Sequence, residues 1–206
     1  MDHPPPATSV FTALYFGDSL TAGSTLPPEQ KSSVWTNLVE QVSRGKFRAI
    51  NEGLGGRPTD SLADFQEALR KHAGAFDLLV IALGGNDARD ISGNCVPHAL
   101  KNIRAMITLA RASCSTLPIL LAGPANIRKD TLGPTKPIAN EREQNLRDLN
   151  VAYEKLALET SCQFVSLYGT IPAASLVMDG VHPDAEGNQP IAAAMLEALT
   201  KLTDLH

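Results

Sequence analysis

Three residues of types that together support nucleophilic catalysis lie in short loops of this chain. Ser19 follows an apolar run in the stretch GDSLTAG, and His182 follows Asp179 by three positions in DGVH. A serine hydroxyl is a poor nucleophile alone and needs a neighbouring base that a third group orients. A carboxylate three residues before an imidazole can fold back and fix the tautomer of that ring. The spacing favours a Ser–His–Asp arrangement, although ordinary turn and helix-cap roles for these residues stay open here.

The other histidines are weaker candidates for the base. His3 and His206 lie near the two ends of the sequence, where frayed segments are expected. His72 falls on the apolar face of a predicted helix, where we expect it to pack or to cap the helix end. His98 precedes another predicted helix, where a surface role is expected. His182 is therefore the preferred base.

Two further loops contain possible donors to a developing oxyanion. Acyl transfer needs hydrogen-bond donors aimed at the oxygen that becomes negative. The backbone N–H groups of Ser19 and Gly56 and the side-chain amide of Asn86 could supply them. The Gly55-Gly56 pair also lets the backbone approach a ligand closely. A simple turn remains an alternative for each of these loops.

The elements that must position these loops are predicted from short apolar runs. Continuous apolar character without alternation is typical of strands covered on both faces. The predicted strands are TALYF (12–16), FRAI (47–50), DLLVIAL (77–83), LPILLAG (117–123) and CQFVSL (162–167). Apolar residues at helical spacing predict helices around 62–72, 100–110, 146–156 and 191–202.

Strand–helix alternation predicts an α/β fold, a three-layer α/β/α sandwich with a five-stranded, mostly parallel, flavodoxin-like sheet. Residues 1–206 are predicted to form one domain, with 1–9 as a flexible N-terminal tail. The Pro- and Gly-rich stretch 123–137 is expected to be a long loop within that domain. Ligands bind such folds at the carboxyl ends of the strands, where the loops described above begin.

Composition excludes several other classes of function. The 206 residues carry a formal net charge of −4, and their basic residues are scattered, which disfavours binding to nucleic acid. The N-terminal sequence lacks signal-peptide character, and no apolar run approaches the roughly 18 residues of a membrane span. Three cysteines without a CxxC motif are typical of reduced thiols, so we expect a cytoplasmic protein without membrane insertion. The sequence contains neither an HExxH motif nor a cluster of carboxylates, so it does not predict a metal site.

Four ordered blocks give the chain a specific resemblance. GDSL at 17–20, NEGLGGR at 51–57, GGND at 84–87 and DGVH at 179–182 resemble the blocks of the GDSL, or SGNH, hydrolase family. Any one block is weak, but together they fall in chain order at one predicted sheet edge. The resemblance extends from residue 16 to residue 183, which is nearly the whole predicted domain.

The resemblance implies a serine esterase that needs no cofactor. It assigns Ser19 as the nucleophile, His182 as general base and acid, and Asp179 as the group that orients the imidazole. The oxyanion donors would be Ser19, Gly56 and Asn86, with Gly55 as the alternative to Gly56. It gives supporting roles to Asp18, Arg57 and Asp87.

The substrate class is less specific than the chemistry. Arg57 after the double glycine resembles the arylesterase and acyltransferase-like branch, whereas Pro58 departs from the threonine usual in that branch. We expect short-acyl, chiefly acetyl, esters, with carbohydrate acetylesterase or thioesterase and lysophospholipase activity as alternatives. An apolar acyl wall is expected from Leu26, Pro27, Trp35, Ala125, Ile127 and Ile138.

Alternatives outside this family have less support. The chain has no G-x-S-x-G motif, which the α/β-hydrolase fold uses. A cysteine nucleophile at Cys95 beside His98 lacks a third partner. A flavodoxin-like binding module is the alternative that is not an enzyme. The expected partner is a small-molecule ester, and a homo-oligomer is compatible with the sequence.

Overall fold

The computed structural model of the chain describes residues 9–204 around one five-stranded sheet. The strands are β1 (Phe11–Gly17), β2 (Phe47–Gly53), β3 (Leu78–Ala82), β4 (Ile119–Gly123) and β5 (Gln163–Ser166). They lie in the order β2-β1-β3-β4-β5, and every neighbouring pair is parallel. The predicted flavodoxin-like arrangement is confirmed, and the sheet is entirely rather than mostly parallel. Of the tail predicted over 1–9, residues 1–8 lie outside the described residues.

Helices cover both faces of the sheet and complete the three predicted layers. They are α1 (Ser19–Ala22), α2 (Trp35–Val42), α3 (Leu62–Lys71), α4 (Cys95–Ser113), α5 (Ala139–Glu159) and α6 (Asn188–Asp204). The apolar residues of α3, α4 and α5 form one buried cluster against the sheet, and those of α2 and α6 form the other. Because side chains alternate along a strand, Leu14 and Phe16 join the first cluster while Ala13 and Tyr15 join the second.

The register of the strands brings their carboxyl ends to one edge. Gly17 at the end of β1 pairs with Gly53 at the end of β2 and with Ala82 at the end of β3. Ala82 pairs in turn with Ala122, the penultimate residue of β4. The loops after β1, β2 and β3 therefore begin side by side, which is what the proposed chemistry requires of them.

Several predicted elements differ from the structure in detail. Helix α2 was absent from the sequence prediction, and the stretch predicted as a long loop contains 3₁₀ turns at Lys129–Thr131 and Gly133–Ile138. His98 lies exposed within the first turn of α4 rather than before the helix. His72 caps the end of α3, as predicted, and its Nε2 lies 2.6 Å from a carboxylate oxygen of Glu52.

The described residues, 9–204, contain neither a membrane-spanning helix nor a metal-binding cluster of side chains. Within this range, no helix has both the length and the apolar character that a bilayer span requires. The same residues contain no group of three or more His, Cys, Asp or Glu side chains arranged to hold a metal ion. All three cysteines are free thiols; Cys95 is buried, Cys162 is half-buried and Cys114 is exposed.

Candidate active site

Ser19 occupies the first turn of α1, immediately after the end of β1. Asp18 is the N-cap of this short helix, and its Oδ1 accepts a hydrogen bond from the Leu20 N–H at 3.0 Å. Gly23 ends the helix with a φ of +60°, a conformation that favours glycine. The GDSL stretch is therefore a strand-to-helix turn that places the Ser19 hydroxyl at the carboxyl edge of the sheet.

Helix α1 lies against the end of β2 because the strand ends in a glycine. A Cβ at Gly53 would collide with the backbone of Thr21 and Ala22, so only glycine permits this approach. The Asn51 amide fixes the same contact by donating to the Thr21 carbonyl at 2.7 Å and to the Thr36 hydroxyl at 3.0 Å. The position of Ser19 therefore depends on Asn51 and Gly53 of the second block as well as on the GDSL turn.

A hydrogen-bond chain links Asp179, His182 and Ser19. His182 Nδ1 lies 2.6 Å from Asp179 Oδ2, and His182 Nε2 lies 2.8 Å from Ser19 Oγ. The other carboxylate oxygen, Asp179 Oδ1, accepts the backbone N–H groups of Val181 at 2.9 Å and His182 at 3.0 Å. The fold thus brings Ser19 into contact with His182, which lies 163 positions later in the chain, and with Asp179 through it.

These contacts set the electrostatics of Asp179. Partial burial by itself would raise the pKa of this carboxyl, but hydrogen bonds from the His182 backbone, the His182 ring and the Val181 N–H outweigh it. The net effect lowers the pKa of Asp179 below its ordinary value. Asp179 is therefore an ionised acceptor that holds the His182 ring by its Nδ1.

The double glycine forms a tight turn with free donors. The Arg57 N–H donates to the Leu54 carbonyl at 3.2 Å, and Gly56 at the third position of this turn has a φ of +76°. Across residues 9–204, the backbone N–H groups of Ser19, Gly55 and Gly56 have no hydrogen-bond acceptor. These N–H groups are available to a ligand, so both Gly56 and its alternative Gly55 remain candidate oxyanion donors.

The Asn86 amide lies at the same corner of the sheet. Its Nδ2 donates to the Arg57 carbonyl at 3.1 Å and lies 3.5 Å from Asp18 Oδ2. Next to it, both Asp87 carboxylate oxygens accept the Thr59 N–H at 3.1 Å, and Oδ1 also accepts the Thr59 hydroxyl at 2.5 Å. The third block is thereby tied to the second, and Asp87 has the bracing contacts expected of a supporting residue.

Arg57 is buried rather than solvent-exposed. Its guanidinium donates to the Gly17 carbonyl at 2.8 Å and to the Glu52 carbonyl, and it stacks 4.1 Å from the centre of the Phe16 ring. These contacts join the ends of β1 and β2, and they leave the side chain 7% exposed. Its position supports the loops around Ser19 without requiring a contact to substrate.

Asp18 is a buried carboxyl beside the hydrogen-bond chain. Burial raises its pKa to about 6, and the nearby Asp87 charge adds to that effect. The Leu20 N–H and the charges of His182 and Arg57 oppose the shift without cancelling it. The ionisation of the Asp18 carboxyl is therefore displaced toward neutral pH.

A mainly apolar cavity of about 40 Å³ lies beside Ser19. Ser19 and His182 do not line it themselves, but their neighbours Asp18, Leu20 and Val181 do. Three members of the predicted acyl wall line the cavity, namely Trp35, Ala125 and Ile127. The other three predicted members are not among its lining residues, namely Leu26, Pro27 and Ile138.

Arg142 also lines this cavity, and the sequence analysis missed it. It lies on α5 with an exposure of 2% and donates to the Thr135 hydroxyl at 3.2 Å. The signal was present, because position 142 continues the apolar series Leu146, Leu149 and Tyr153 at helical spacing. A charged residue on the buried face of a helix marks a possible functional position.

Comparisons with known proteins relate the chain to a sequence family and to solved structures. The sequence model of the GDSL-like Lipase/Acylhydrolase family matches residues 15–189. Comparison with curated proteins gives no match.

Several solved structures share the fold over most of both chains. A carbohydrate acetylesterase family member from Sinorhizobium meliloti is 26% identical, with a TM-score of 0.75 over 94% of this chain and 99% of that one. The aryl esterase of M. smegmatis is 23% identical, with a TM-score of 0.80 over 94% and 100%. A member of the lipolytic protein G-D-S-L family from Veillonella parvula is 19% identical, with a TM-score of 0.73 over 92% and 98%. The chain belongs to the GDSL-like lipase/acylhydrolase family.

Proposed function

We propose that this acylhydrolase cleaves carboxylic esters through an acyl-enzyme formed on Ser19. The observation that carries the proposal is the hydrogen-bond chain from Asp179 through His182 to the Ser19 hydroxyl, with distances of 2.6 and 2.8 Å. A serine next to an oriented imidazole is the arrangement that activates a hydroxyl for acyl transfer.

The chemistry follows from the roles of the three side chains. Ser19 Oγ attacks the ester carbonyl while its proton passes to His182 Nε2, and Asp179 stabilises the resulting imidazolium. The tetrahedral intermediate then breaks the bond to the alkoxy oxygen, which takes the proton from His182 and leaves as the alcohol. Water repeats the sequence on the acyl-enzyme: His182 takes its proton, and Ser19 leaves with that proton as the free acid forms.

We assign the oxyanion donors to the backbone N–H groups of Ser19 and Gly56 and to Asn86 Nδ2. The support is that both N–H groups have no acceptor within residues 9–204 and that Asn86 lies at the same corner. Gly55 is the alternative register, since its N–H is equally free. Three fixed donors around a developing charge are the usual basis of such catalysis.

Short acyl groups, chiefly acetyl, are the proposed substrates. The cavity beside Ser19 is lined in part by Trp35, Leu146 and Ile191, which are buried core side chains with an exposure of 1% or less. Lengthening it would require these side chains to repack, which is costly in a dense core. An acetylated carbohydrate is a second candidate, favoured by the likeness to the acetylesterase family member from Sinorhizobium meliloti.

The test compares hydrolysis of p-nitrophenyl acetate, butyrate and palmitate by the wild type, Ser19→Ala and Ser24→Ala. Ser24 is an exposed serine five positions away and is the matched control. We expect acetate to be the best of the three esters and Ser19→Ala to lose at least about a thousandfold in kcat. Equal activity of the wild type and Ser19→Ala would contradict the nucleophile assignment, and a preference for palmitate would contradict the short-acyl proposal.

Acetylated sugars extend the same comparison. Release of acetate from an acetylated xylan or glucose pentaacetate at a higher kcat/KM than from p-nitrophenyl acetate would favour the carbohydrate substrate class. A lower kcat/KM for the sugars would favour simple esters.

A further inference from the structure

Arg142 is a buried cation without a carboxylate partner. Within residues 9–204, no carboxylate oxygen lies within 4.0 Å of its guanidinium, and its single hydrogen bond goes to the Thr135 hydroxyl. Its Nε is buried and has no hydrogen-bond partner among the described residues. The guanidinium therefore keeps most of its five donors for something other than the protein.

The electrostatic surroundings do not compensate for this burial. Burial, and to a smaller extent the neighbouring Arg89 charge, lower the pKa of Arg142 to about 10. Asp179 and Asp18 attract the guanidinium from beyond contact distance, which opposes the shift only in part. A pKa near 10 keeps the side chain charged at neutral pH. A buried charge of this kind is costly unless an anion pairs with it.

The position of Arg142 connects it with the proposed reaction. It lines the cavity that also contacts Asp18 and Leu20 on either side of Ser19 and Val181 next to His182. Apart from Arg142 and a few polar groups, the cavity wall consists of aliphatic and aromatic side chains. An apolar wall with one buried guanidinium matches an organic molecule whose apolar part ends in a carboxylate.

We propose that Arg142 determines specificity by binding a carboxylate of the ester substrate. This inference rests on the proposed ester hydrolysis and adds that the substrate is an anion. The planar guanidinium fork pairs with a carboxylate through two parallel hydrogen bonds, which a lysine could not reproduce. The carboxylate belongs either to the acyl group, as in a dicarboxylic monoester, or to the alcohol, as in a hydroxy-acid ester.

Matched pairs of esters test the proposal and separate the two sources. The acyl pair is the 4-nitrophenyl monoester of glutarate against neutral 4-nitrophenyl 5-methylhexanoate. The alcohol pair is 4-acetoxybenzoate against its neutral methyl ester. In each pair kcat/KM is measured after subtraction of the uncatalysed rate, and the ratio of the anionic to the neutral ester is compared between proteins. Arg142→Gln removes the charge, Arg142→Lys keeps it without the fork, and Arg147→Gln is the control on the exposed face of the same helix.

We expect the ratio in one pair to fall about 10- to 100-fold in Arg142→Gln, and less in Arg142→Lys. The ratio in Arg147→Gln should equal that of the wild type. A ratio that is the same in the wild type and Arg142→Gln for both pairs would overturn the proposal.

Competitive inhibition of the wild type provides a measurement that needs no folded variant. Glutarate or 4-hydroxybenzoate should inhibit p-nitrophenyl acetate hydrolysis at least tenfold more strongly than its neutral methyl ester. Equal inhibition by the acids and their methyl esters would contradict the proposal while leaving ester hydrolysis intact. If the wild type hydrolysed none of the esters, the proposed function itself would fail, and this inference would fail with it.

Discussion

The two sides of the cleft around Ser19 each contain a buried arginine, and the two guanidinium groups have different partners. On the β2 side, Arg57 donates to two backbone carbonyls, stacks on Phe16 and has a carboxylate oxygen of Asp64 3.9 Å from its Nε. On the α5 side, Arg142 is even less exposed but has one hydroxyl as its acceptor. The difference is what our two proposals require, since Arg57 has its contacts within the protein whereas Arg142 keeps donors for a substrate.

The largest predicted effect on the β2 side is the loss of kcat in Asn86→Ala. Removing its amide by Asn86→Ala takes away one proposed oxyanion donor on the β2 side, where charge develops in the transition state. We expect kcat to fall about 10²- to 10³-fold for acetyl and butyryl esters alike, with little change in the preference between them. Steady-state kinetics with both esters provides the measurement.

Asn37→Ala is the matched control for Asn86→Ala. The Asn37 amide donates to the Lys31 carbonyl and, among the described residues, makes no hydrogen bond to residues 51–57 or 84–87, so its loss should not alter kcat. A drop in KM discrimination between the two esters, with kcat retained in Asn86→Ala, would show that Asn86 selects substrate instead of stabilising the oxyanion.

The free energies of unfolding of Arg57→Met and Arg142→Met show how much each buried arginine stabilises the fold. Arg57→Met removes the guanidinium donors to the Gly17 and Glu52 carbonyls, although Gly17 keeps its bond from the Leu54 N–H. We expect a loss of about 2–4 kcal/mol in the free energy of unfolding. Arg142→Met replaces an unpaired buried charge by an apolar side chain, so the free energy should change by less than about 1 kcal/mol or rise. Urea unfolding of both variants measures the difference. Equal losses in the two variants would show that both arginines are structural.

The smallest predicted effect is the pH dependence that Asp18 adds to stability. Its pKa is about 6 in the folded chain, against about 3.9 for an unfolded aspartate, so the folded state binds this proton more tightly. The contribution of Asp18 to stability is therefore most favourable below pH 4. It declines as the pH rises through 6 and is constant above that, with a total change of up to about 3 kcal/mol.

Asp18→Asn isolates this contribution, because the asparagine oxygen can still cap α1. Urea unfolding between pH 4.5 and 7.5 should show a smaller loss of stability with rising pH in Asp18→Asn than in the wild type. Identical pH profiles would mean that Asp18 keeps an ordinary pKa in the folded chain.

The features that sequence reasoning predicted well are those encoded locally. The central strands β1, β3 and β4 are largely buried and appear as continuous apolar runs, whereas the edge strands β2 and β5 are only partly buried. The parallel order of the strands follows from the intervening helices. The residues of the hydrogen-bond chain were identifiable because Ser19 and the Asp179–His182 pair lie in short blocks at strand ends or in one loop. Arg57 was named a supporting residue from its block alone, and the structure adds the contacts that explain its position.

What the sequence did not predict depends on tertiary packing. Helix α2 has eight residues and begins after Val34 without a side-chain cap, so the usual start signal is missing. The helical spacing of position 142 indicates burial, but its contact with Thr135 of the 3₁₀ segment Gly133–Ile138 and its place in the cavity wall depend on tertiary packing. Leu26, expected in the acyl wall, is buried but does not line the cavity.

Covalent trapping of Ser19 is the most direct test of whether this residue carries the acyl group. The protein is treated with a fluorophosphonate, digested and analysed by mass spectrometry, with Ser19→Ala and Ser24→Ala in parallel. We predict one adduct per chain on the peptide containing Ser19, present in Ser24→Ala and absent from Ser19→Ala, with loss of esterase activity in proportion to labelling. An adduct on another residue, or full inhibition without labelling at Ser19, would contradict the assignment of Ser19 as the nucleophile.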